Sequence, residues 1–357
     1  MAPLKIENKS PKNNVSEKKK VTLALQGGGA HGAFAWGVAD KLLEDGRFEI
    51  EGVSGTSAGG MNAACIIQGL IKGGNEAARS TLKDYWRGMS ELSKKISPFQ
   101  MSPQDKKNKN YNLDKNPMVR LIMTMTGHLS PYQTNPFNAN PFGDFLKSFF
   151  DFPIVRENIE KKLFLAATHV KSGKIKIFSN KDFCSDVLVA SACLPQLFQA
   201  VLVDGEYYWD GGYIANPAIN PLIVECEASD VIMIQLTKTY CEELPKTKAQ
   251  IVERLSEITF NGCLVREMRA IHFITQLMDQ GIINDGALKR VNMHLIKNED
   301  TFKNLNLSSA GNTDWDFLMM LHTEGRKTAQ NWIDRNYDSV GSKTHKIDEF
   351  TFKDFIS

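Results

Sequence analysis

The sequence predicts an α/β fold built on a mainly parallel sheet. Val21-Thr-Leu-Ala-Leu25 is a short, continuous apolar run of the kind that forms a strand buried on both faces. A glycine-rich loop and a helix-like stretch from Ala33 to Glu44 follow it. A second strand-like run, Phe48 to Ser54, turns sharply through Gly55-Thr56-Ser57-Ala58-Gly59-Gly60 into a small-residue helix, Ala58 to about Leu70. Further apolar strand candidates recur downstream between helical stretches, as when helices pack on a parallel sheet.

In chain order, residues 1–19 are rich in Lys, Asn and Ser and read as a disordered tail, either solubilising or a weak tether to anionic lipid. Residues 20–337 read as one domain. Within it, residues 80–150 mix prolines, lysines and asparagines with short apolar stretches, as an insertion or cap over the sheet would. Leu163 to Val170 and Ile175 to Phe178 predict a hairpin, and Asp182 to Ala192 a short helix ended by Pro195. Gln199 to Val203 and Glu206 to Trp209 flank an Asp204-Gly205 turn. Val231 to Leu236 and Val291 to Ile296 are the last strand candidates. Residues 245–337 are mostly helical. Ile251, Leu255, Ile258, Leu264, Met268, Ile271, Ile274, Met278 and Ile282 have helical spacing and are expected to pack into the core rather than to lie on a membrane. Trp315 to Tyr337 reads as a C-terminal helix, and residues 338–357 as a tail.

The bulk numbers narrow the class. A chain of 357 residues, 42% hydrophobic and 24% charged, is globular and long enough to bury a large core. A net charge of +2 argues against a nucleic-acid binder. The six cysteines (65, 184, 193, 226, 241 and 263) form no CxxC pair and read as small core residues in a reducing compartment. No ligand cluster has zinc spacing, so no metal is expected. No apolar run reaches the roughly 18 residues that a membrane span requires, and no apolar signal core follows the N-terminal lysines. These features point to the cytoplasm, with peripheral membrane contact or export by a non-Sec route left open.

Gly55-x-Ser57-x-Gly59 has the spacing of a nucleophile elbow. Such a turn strains the backbone of its serine and needs small flanking residues. It places the hydroxyl at a helix N-terminus, where developing negative charge is favoured. Ser57 therefore reads as the nucleophile of a serine hydrolase. Gly27-x-Gly29-x-x-Gly32 also fits a dinucleotide fingerprint, but that reading needs an acid at the end of the second strand, and none is there. The favoured reading is an oxyanion hole of Gly27, Gly28, Gly29 and Gly32, whose N–H groups converge without obstructing side chains. The base is less evident. His128, His169, His272, His294, His322 and His345 follow Ser57, none in a glycine-framed context, and spacing leaves a triad open. Asp210 follows an aromatic strand and precedes Gly211 and Gly212. Alone it is an Asp-Gly turn, but beside two glycine motifs it reads as a base whose proton affinity apolar neighbours raise.

These motifs in this order resemble the patatin-like phospholipase family: Gly27-Gly28-Gly29-x-x-Gly32, then Gly55-Thr56-Ser57-Ala58-Gly59-Gly60, then Asp210-Gly211-Gly212. Ser191-Ala192-Cys193-Leu194-Pro195 with Phe198 is similar to a further segment of that family, and the resemblance covers residues 21 to about 223. It implies a three-layer α/β/α sandwich and a dyad without histidine, in which Ser57 attacks an ester and Asp210 takes its proton. It also implies backbone N–H groups around Gly28 and Gly29 holding the oxyanion, acyl lipids as substrates and no cofactor. One departure is His31, where the family usually has Arg or Lys, which suggests a titratable electrostatic role and activity gained at mildly acidic pH. The expected function is a lipid acyl hydrolase of phospholipase A or lysophospholipase type. The alternatives are an esterase, a thioesterase, a polyester or neutral-lipid hydrolase, and a catalytically silent lipid-binding protein. The oligomeric state is not legible.

Overall fold

The computed structural model describes residues 18–97, 100–126, 129–283 and 288–342, together with Phe355. Most of the two expected tails, His128 and His345 lie outside the described residues. Eight strands form one mixed sheet: β1 (Lys19–Leu25), β2 (Phe48–Gly55), β3 (Lys162–His169), β4 (Ile175–Ser179), β5 (Val201–Val203), β6 (Glu206–Asp210), β7 (Asp230–Ile234) and β8 (Asn292–Ile296). Their order is β5-β6-β3-β2-β1-β7-β8, with β4 also paired to β3. β3, β2, β1, β7 and β8 run parallel, while β4, β5 and β6 pair antiparallel. The parallel strands therefore all end at one edge of the sheet, the edge where α/β proteins place their ligands.

The helices are α1 (Gly32–Asp45), α2 (Ala58–Ile96), α3 (Pro103–Lys107), α4 (Pro117–Thr126), α5 (Pro131–Thr134), α6 (Pro141–Phe149), α7 (Phe152–Glu157), α8 (Ser185–Ser191), α9 (Asn220–Glu225), α10 (Lys248–Asp279), α11 (Glu299–Phe302) and α12 (Trp315–Asn336). The larger core joins β1 and β2 to α1, α2 and α12 through residues such as Leu23, Phe34, Ile66 and Leu321. A second core, with Ala24, Met233, Leu264, Met268 and Phe355, joins the sheet to α9 and α10. Leu23 and Ala24 fall in different cores because successive strand residues face opposite sides. Helices thus cover both faces, as the α/β/α expectation requires.

The helix after the elbow ends near Leu70 as expected, broken at Gly73 and Gly74, the latter at φ +73°, and a second helical stretch runs on to Ile96 with Tyr85, Trp86 and Ser90 buried. One difference from the sequence reading has a physical cause. The apolar positions on α10 do not share one environment. Leu264, Met268, Ile271 and Met278 are buried, but Ile251, Leu255 and Ile258 are exposed, as is Ile282 just past the end of the helix. The first half of α10 contacts loops at the strand ends, where Arg254 reaches the Thr239 carbonyl and Glu253 the Leu307 N–H. No sheet surface is there to cover its outward face.

α1 and α12 pack closely at glycines. A Cβ on Gly37 would meet the His322 carbonyl, and one on Gly325 the Phe34 carbonyl. Across this interface Asp40 accepts from Arg79 Nε at 2.7 Å, bonds Arg326 and lies 3.3 Å from His322 Nε2. Burial alone would raise its pKa, but hydrogen bonds from His322, Arg79 and Arg326 outweigh it and hold the carboxyl well below the usual range. Asp40→Ala is expected to cost about 1.5–3 kcal/mol by urea denaturation at pH 7, since it removes charge-assisted bonds from two guanidinium groups that keep Glu44 and, for Arg79, Glu76 as partners. Because the folded pKa is depressed, this contribution is present above the unfolded value of 3.8 and fades as pH falls below it.

Candidate active site

Ser57 sits where β2 gives way to α2, at φ 56° and ψ −127°. A non-glycine residue in that region stores about 1–3 kcal/mol of strain, as expected of an elbow. Both flanks require glycine: a Cβ on Gly55 would run into the Gly59–Gly60 backbone, and one on Gly59 would lie 2.8 Å from the Gln26 carbonyl. The Ser57 N–H donates to the Ser191 carbonyl at 3.1 Å and lies 3.2 Å from Ser191 Oγ.

Asp210, the last residue of β6, is fully buried. Its N–H donates to the Cys193 carbonyl at 2.7 Å, and its carbonyl accepts from Thr168 Oγ1 at 2.8 Å. Ser191 and Cys193, two residues apart at the end of α8, therefore anchor Ser57 and Asp210 respectively. Asp210 Oδ1 accepts from the Gly212 N–H at 2.7 Å, while Oδ2 is buried without a partner. Burial pushes the carboxyl's pKa up to about 7, opposed by the Gly212 N–H and the Ser57 hydroxyl. The hydroxyl thus favours the ionised carboxyl, while Oδ2 makes no hydrogen bond among the described residues. Catalytic hydrogen bonds tighten when substrate binds.

The loop after Asp210 ties the motifs together. Ser54 Oγ donates to the Ala218 carbonyl at 2.6 Å and Thr56 Oγ1 to the Ala215 carbonyl at 2.8 Å. Asn216 Oδ1 accepts from the Gly27 N–H at 2.6 Å. Gly211 admits the Ala166 carbonyl, and Gly212 makes room for the Phe260 ring of α10. Gln26 fixes the entrance to the glycine loop, accepting from the N–H groups of Leu236 (2.7 Å) and Thr237 (2.9 Å) and donating to Asn261 at 2.9 Å.

The four glycines grouped as an oxyanion hole have different surroundings. The Gly27 N–H is occupied by Asn216, and a Cβ there would press on Ser57 Cβ at 2.8 Å. The Gly32 N–H is spent on the Gly29 and Ala30 carbonyls, and Gly32 lets α1 approach Ala58 and Trp86. The N–H groups of Gly28 and Gly29 have no partner among the described residues, nor has that of Ala58 beside Ser57. Gly29, at φ +58°, also admits the Ala310 carbonyl.

The electrostatic role expected of His31 does not fit its surroundings. Its Nε2 is 2.7 Å from Ser309 Oγ, and its ring packs against Phe302 and Phe317. Burial drives its pKa down to about 4, so the ring is neutral at mildly acidic pH. The other histidines lie elsewhere: His169 bonds Ser172 and Glu206, His294 bonds Asp230, and His322 meets Asp40. Among the described residues, none bonds Ser57 or Asp210. Asn216, Gln26 and Phe260 were not singled out by the sequence, which offers no local signal for partners more than forty residues away. Ser191 belongs to the Ser191-Ala192-Cys193-Leu194-Pro195 segment, whose letters do not show that it anchors Ser57.

Among the described residues no group of His, Cys, Asp or Glu is placed to hold a metal ion, and no helix is long and apolar enough to cross a membrane. A cavity of about 570 Å³ lies apart from Ser57, between β8 and α12.

Residues 23–223 match the model of the family described as patatin-like phospholipase. Among solved structures, VipD from Legionella pneumophila is 16% identical, with 86% of this chain and 67% of that one covered and a TM-score of 0.35. ExoU, in complex with SpcU from the type III secretion system of Pseudomonas aeruginosa, is 13% identical, with 89% of this chain and 53% of that one covered and a TM-score of 0.30. The chain thus spans about half the length of ExoU. No curated protein sequence matches it.

Proposed function

The chain belongs to the patatin-like phospholipase family, and from that premise we propose that it hydrolyses carboxylic esters of lipids through a Ser57–Asp210 dyad, as a phospholipase A or lysophospholipase. The observation that carries the dyad is the buried Asp210 carboxyl, with Oδ2 unpaired and the Ser57 hydroxyl acting on it. A carboxylate with a pKa near 7 is a far better base than one near 4. Ser57 Oγ attacks the ester carbonyl and its proton passes to Asp210. The tetrahedral oxyanion is held by the N–H groups of Gly28 and Gly29, with Ala58 as a third donor. Collapse expels the alcohol, which takes the proton from Asp210. Water, deprotonated by the same carboxylate, then releases the fatty acid from Ser57 and restores both residues.

In this reading Gly27 and Gly32 are structural, and neutral His31 supports the loop through Ser309 and the turn at Ala310. Gly55, Gly59, Gly211 and Gly212 give the backbone its close approaches. Residues 20–337 act as one hydrolase domain. The short helices α3 to α6 act as a cap, tied to the site by Gln199 Nε2 donating to the Asn135 carbonyl at 2.7 Å. The test is incubation with a lipid extract and detection of released fatty acid and lysolipid by mass spectrometry, against Ser57→Ala. A substrate panel separates phospholipid from thioester, neutral-lipid or polyester hydrolysis. Failure of a fluorophosphonate to label Ser57 in folded protein would favour a silent lipid binder.

Asn216 offers a finer check. Asn216→Ala frees the Gly27 N–H and unties the glycine loop from the Asp210 loop. It is expected to lower kcat about 10²-fold with little change in KM, because the loop's donors act on the transition state rather than on bound substrate. Steady-state kinetics on one ester, with circular dichroism to show intact folding, decide this. An unchanged kcat would sever Asn216 from the oxyanion site.

A further inference from the structure

We propose that the outward face of α10 is a docking surface for an anionic lipid bilayer. The proposal rests on the hydrolase reading for its purpose, but its evidence is separate. Ile251, Leu255 and Ile258 fall on one side of the helix at helical spacing, each roughly half-exposed, and Val252 borders them. None of these side chains belongs to a buried core cluster among the described residues. Along the same helix the exposed charged residues from Lys248 to Phe273 are Lys248, Arg266 and Arg269, while Glu253, Glu257 and Glu267 are turned partly inward. Two of these acids are held there by bonds to the Leu307 and Ile219 N–H groups. Of the exposed acids nearby, Glu242 and Glu243 precede the helix, Asp114 lies beside Ser308, and Asp279 at the helix end pairs with Arg290. An apolar face flanked by Lys and Arg and free of exposed acid suits a helix lying in an anionic lipid interface.

Position argues the same way. The apolar stretch is the half of α10 that contacts the catalytic loops. Phe260 packs on Gly212 and Tyr213, Asn261 bonds Gln26 at the start of the glycine loop, and Glu253 holds Leu307 at the start of the turn beneath Gly29. Leu255 and Ile258 face the other way from these contacts, so a bilayer seated on them is held one helix diameter, roughly 10 Å, from the loops framing Ser57. A second copy of the chain fits this face less well, because a twofold contact would bring its basic residues towards their own counterparts.

The experiment uses the full chain carrying Ser57→Ala, so that binding is read without hydrolysis. It is sedimented with vesicles of phosphatidylcholine alone or mixed with phosphatidylglycerol. The parent protein is expected to bind the mixed vesicles more strongly, and less so as salt rises. Adding Leu255→Ser and Ile258→Ser should weaken binding about tenfold or more, and Arg266→Glu should reduce the preference for anionic vesicles, each with an unchanged melting temperature. The proposal fails if the parent does not bind, if the double variant binds as the parent does, or if ultracentrifugation shows a dimer that Ile258→Ser dissociates. Hydrolysis of a soluble short-chain ester by the Ser57 protein separates the two readings. Cleavage without vesicle binding overturns the docking face alone, and vesicle binding without cleavage overturns the hydrolase alone.

Discussion

Ser57→Ala is expected to reduce lipid-ester hydrolysis by about 10⁴-fold or more and to abolish labelling by a fluorophosphonate, with the fold intact. The size of the effect follows from what remains. Without Oγ no acyl-enzyme forms, and any residual rate comes from the N–H groups of Gly28, Gly29 and Ala58 polarising an ester for attack by water. Losing the hydroxyl should cost little stability. Among the described residues Ser57 Oγ makes no ordinary hydrogen bond, whereas the bonds that hold the elbow, from the Ser57 N–H to Ser191 and from the Gly59 N–H to Thr56, are retained. Alanine inherits the same strained φ of 56°. A melting temperature within a few degrees of wild type, together with absent product in mass spectra of a treated lipid extract, meets the expectation. Persistent hydrolysis by folded Ser57→Ala protein would remove Ser57 as nucleophile.

The sequence made this residue conspicuous because elbow geometry is written in neighbouring letters. Gly55 and Gly59 are needed by close approaches within a few residues of Ser57, and the same locality exposed β1, the glycine loop, α1 and the β5–β6 turn. What it could not show is decided over long separations. Gly27 and Gly28 look alike in sequence, yet one N–H is taken by Asn216, 189 residues away, and the other has no partner among the described residues. His31 looks like a substitute for a basic residue until Phe302 and Phe317 enclose it. The periodicity of α10 correctly marks an apolar face, but whether Leu264 or Leu255 is covered depends on where the sheet ends. Asp210 is the intermediate case. Its glycines marked a turn, while the burial that alters its chemistry comes from the surrounding fold.

That burial makes Asp210→Asn the second decisive substitution, because it should change activity and stability in opposite directions. Asparagine cannot accept the Ser57 proton, so kcat/KM is expected to fall about 10³-fold or more. In wild type, kcat/KM should rise with pH as the carboxylate forms and level off above about 7, the pKa to which burial pushes Asp210. Stability follows from the same shift. The folded protein holds this proton to about pH 7, whereas the unfolded chain releases it near 3.8. The folded state therefore binds more protons, and wild-type stability declines as pH rises from about 4 to about 7. The ionised carboxyl is left with a buried, unpaired Oδ2. Neutral asparagine escapes that penalty, so Asp210→Asn should match or exceed wild type in urea denaturation at pH 8, by up to a few kcal/mol, and lose the advantage below about pH 4. Lower stability at every pH would mean that the carboxyl is held by bonds asparagine cannot replace. Retained activity at pH 8 would reject Asp210 as the base and return the search to the histidines. Loss of activity with gained stability is the signature of a carboxylate kept buried for chemistry at a cost to the fold.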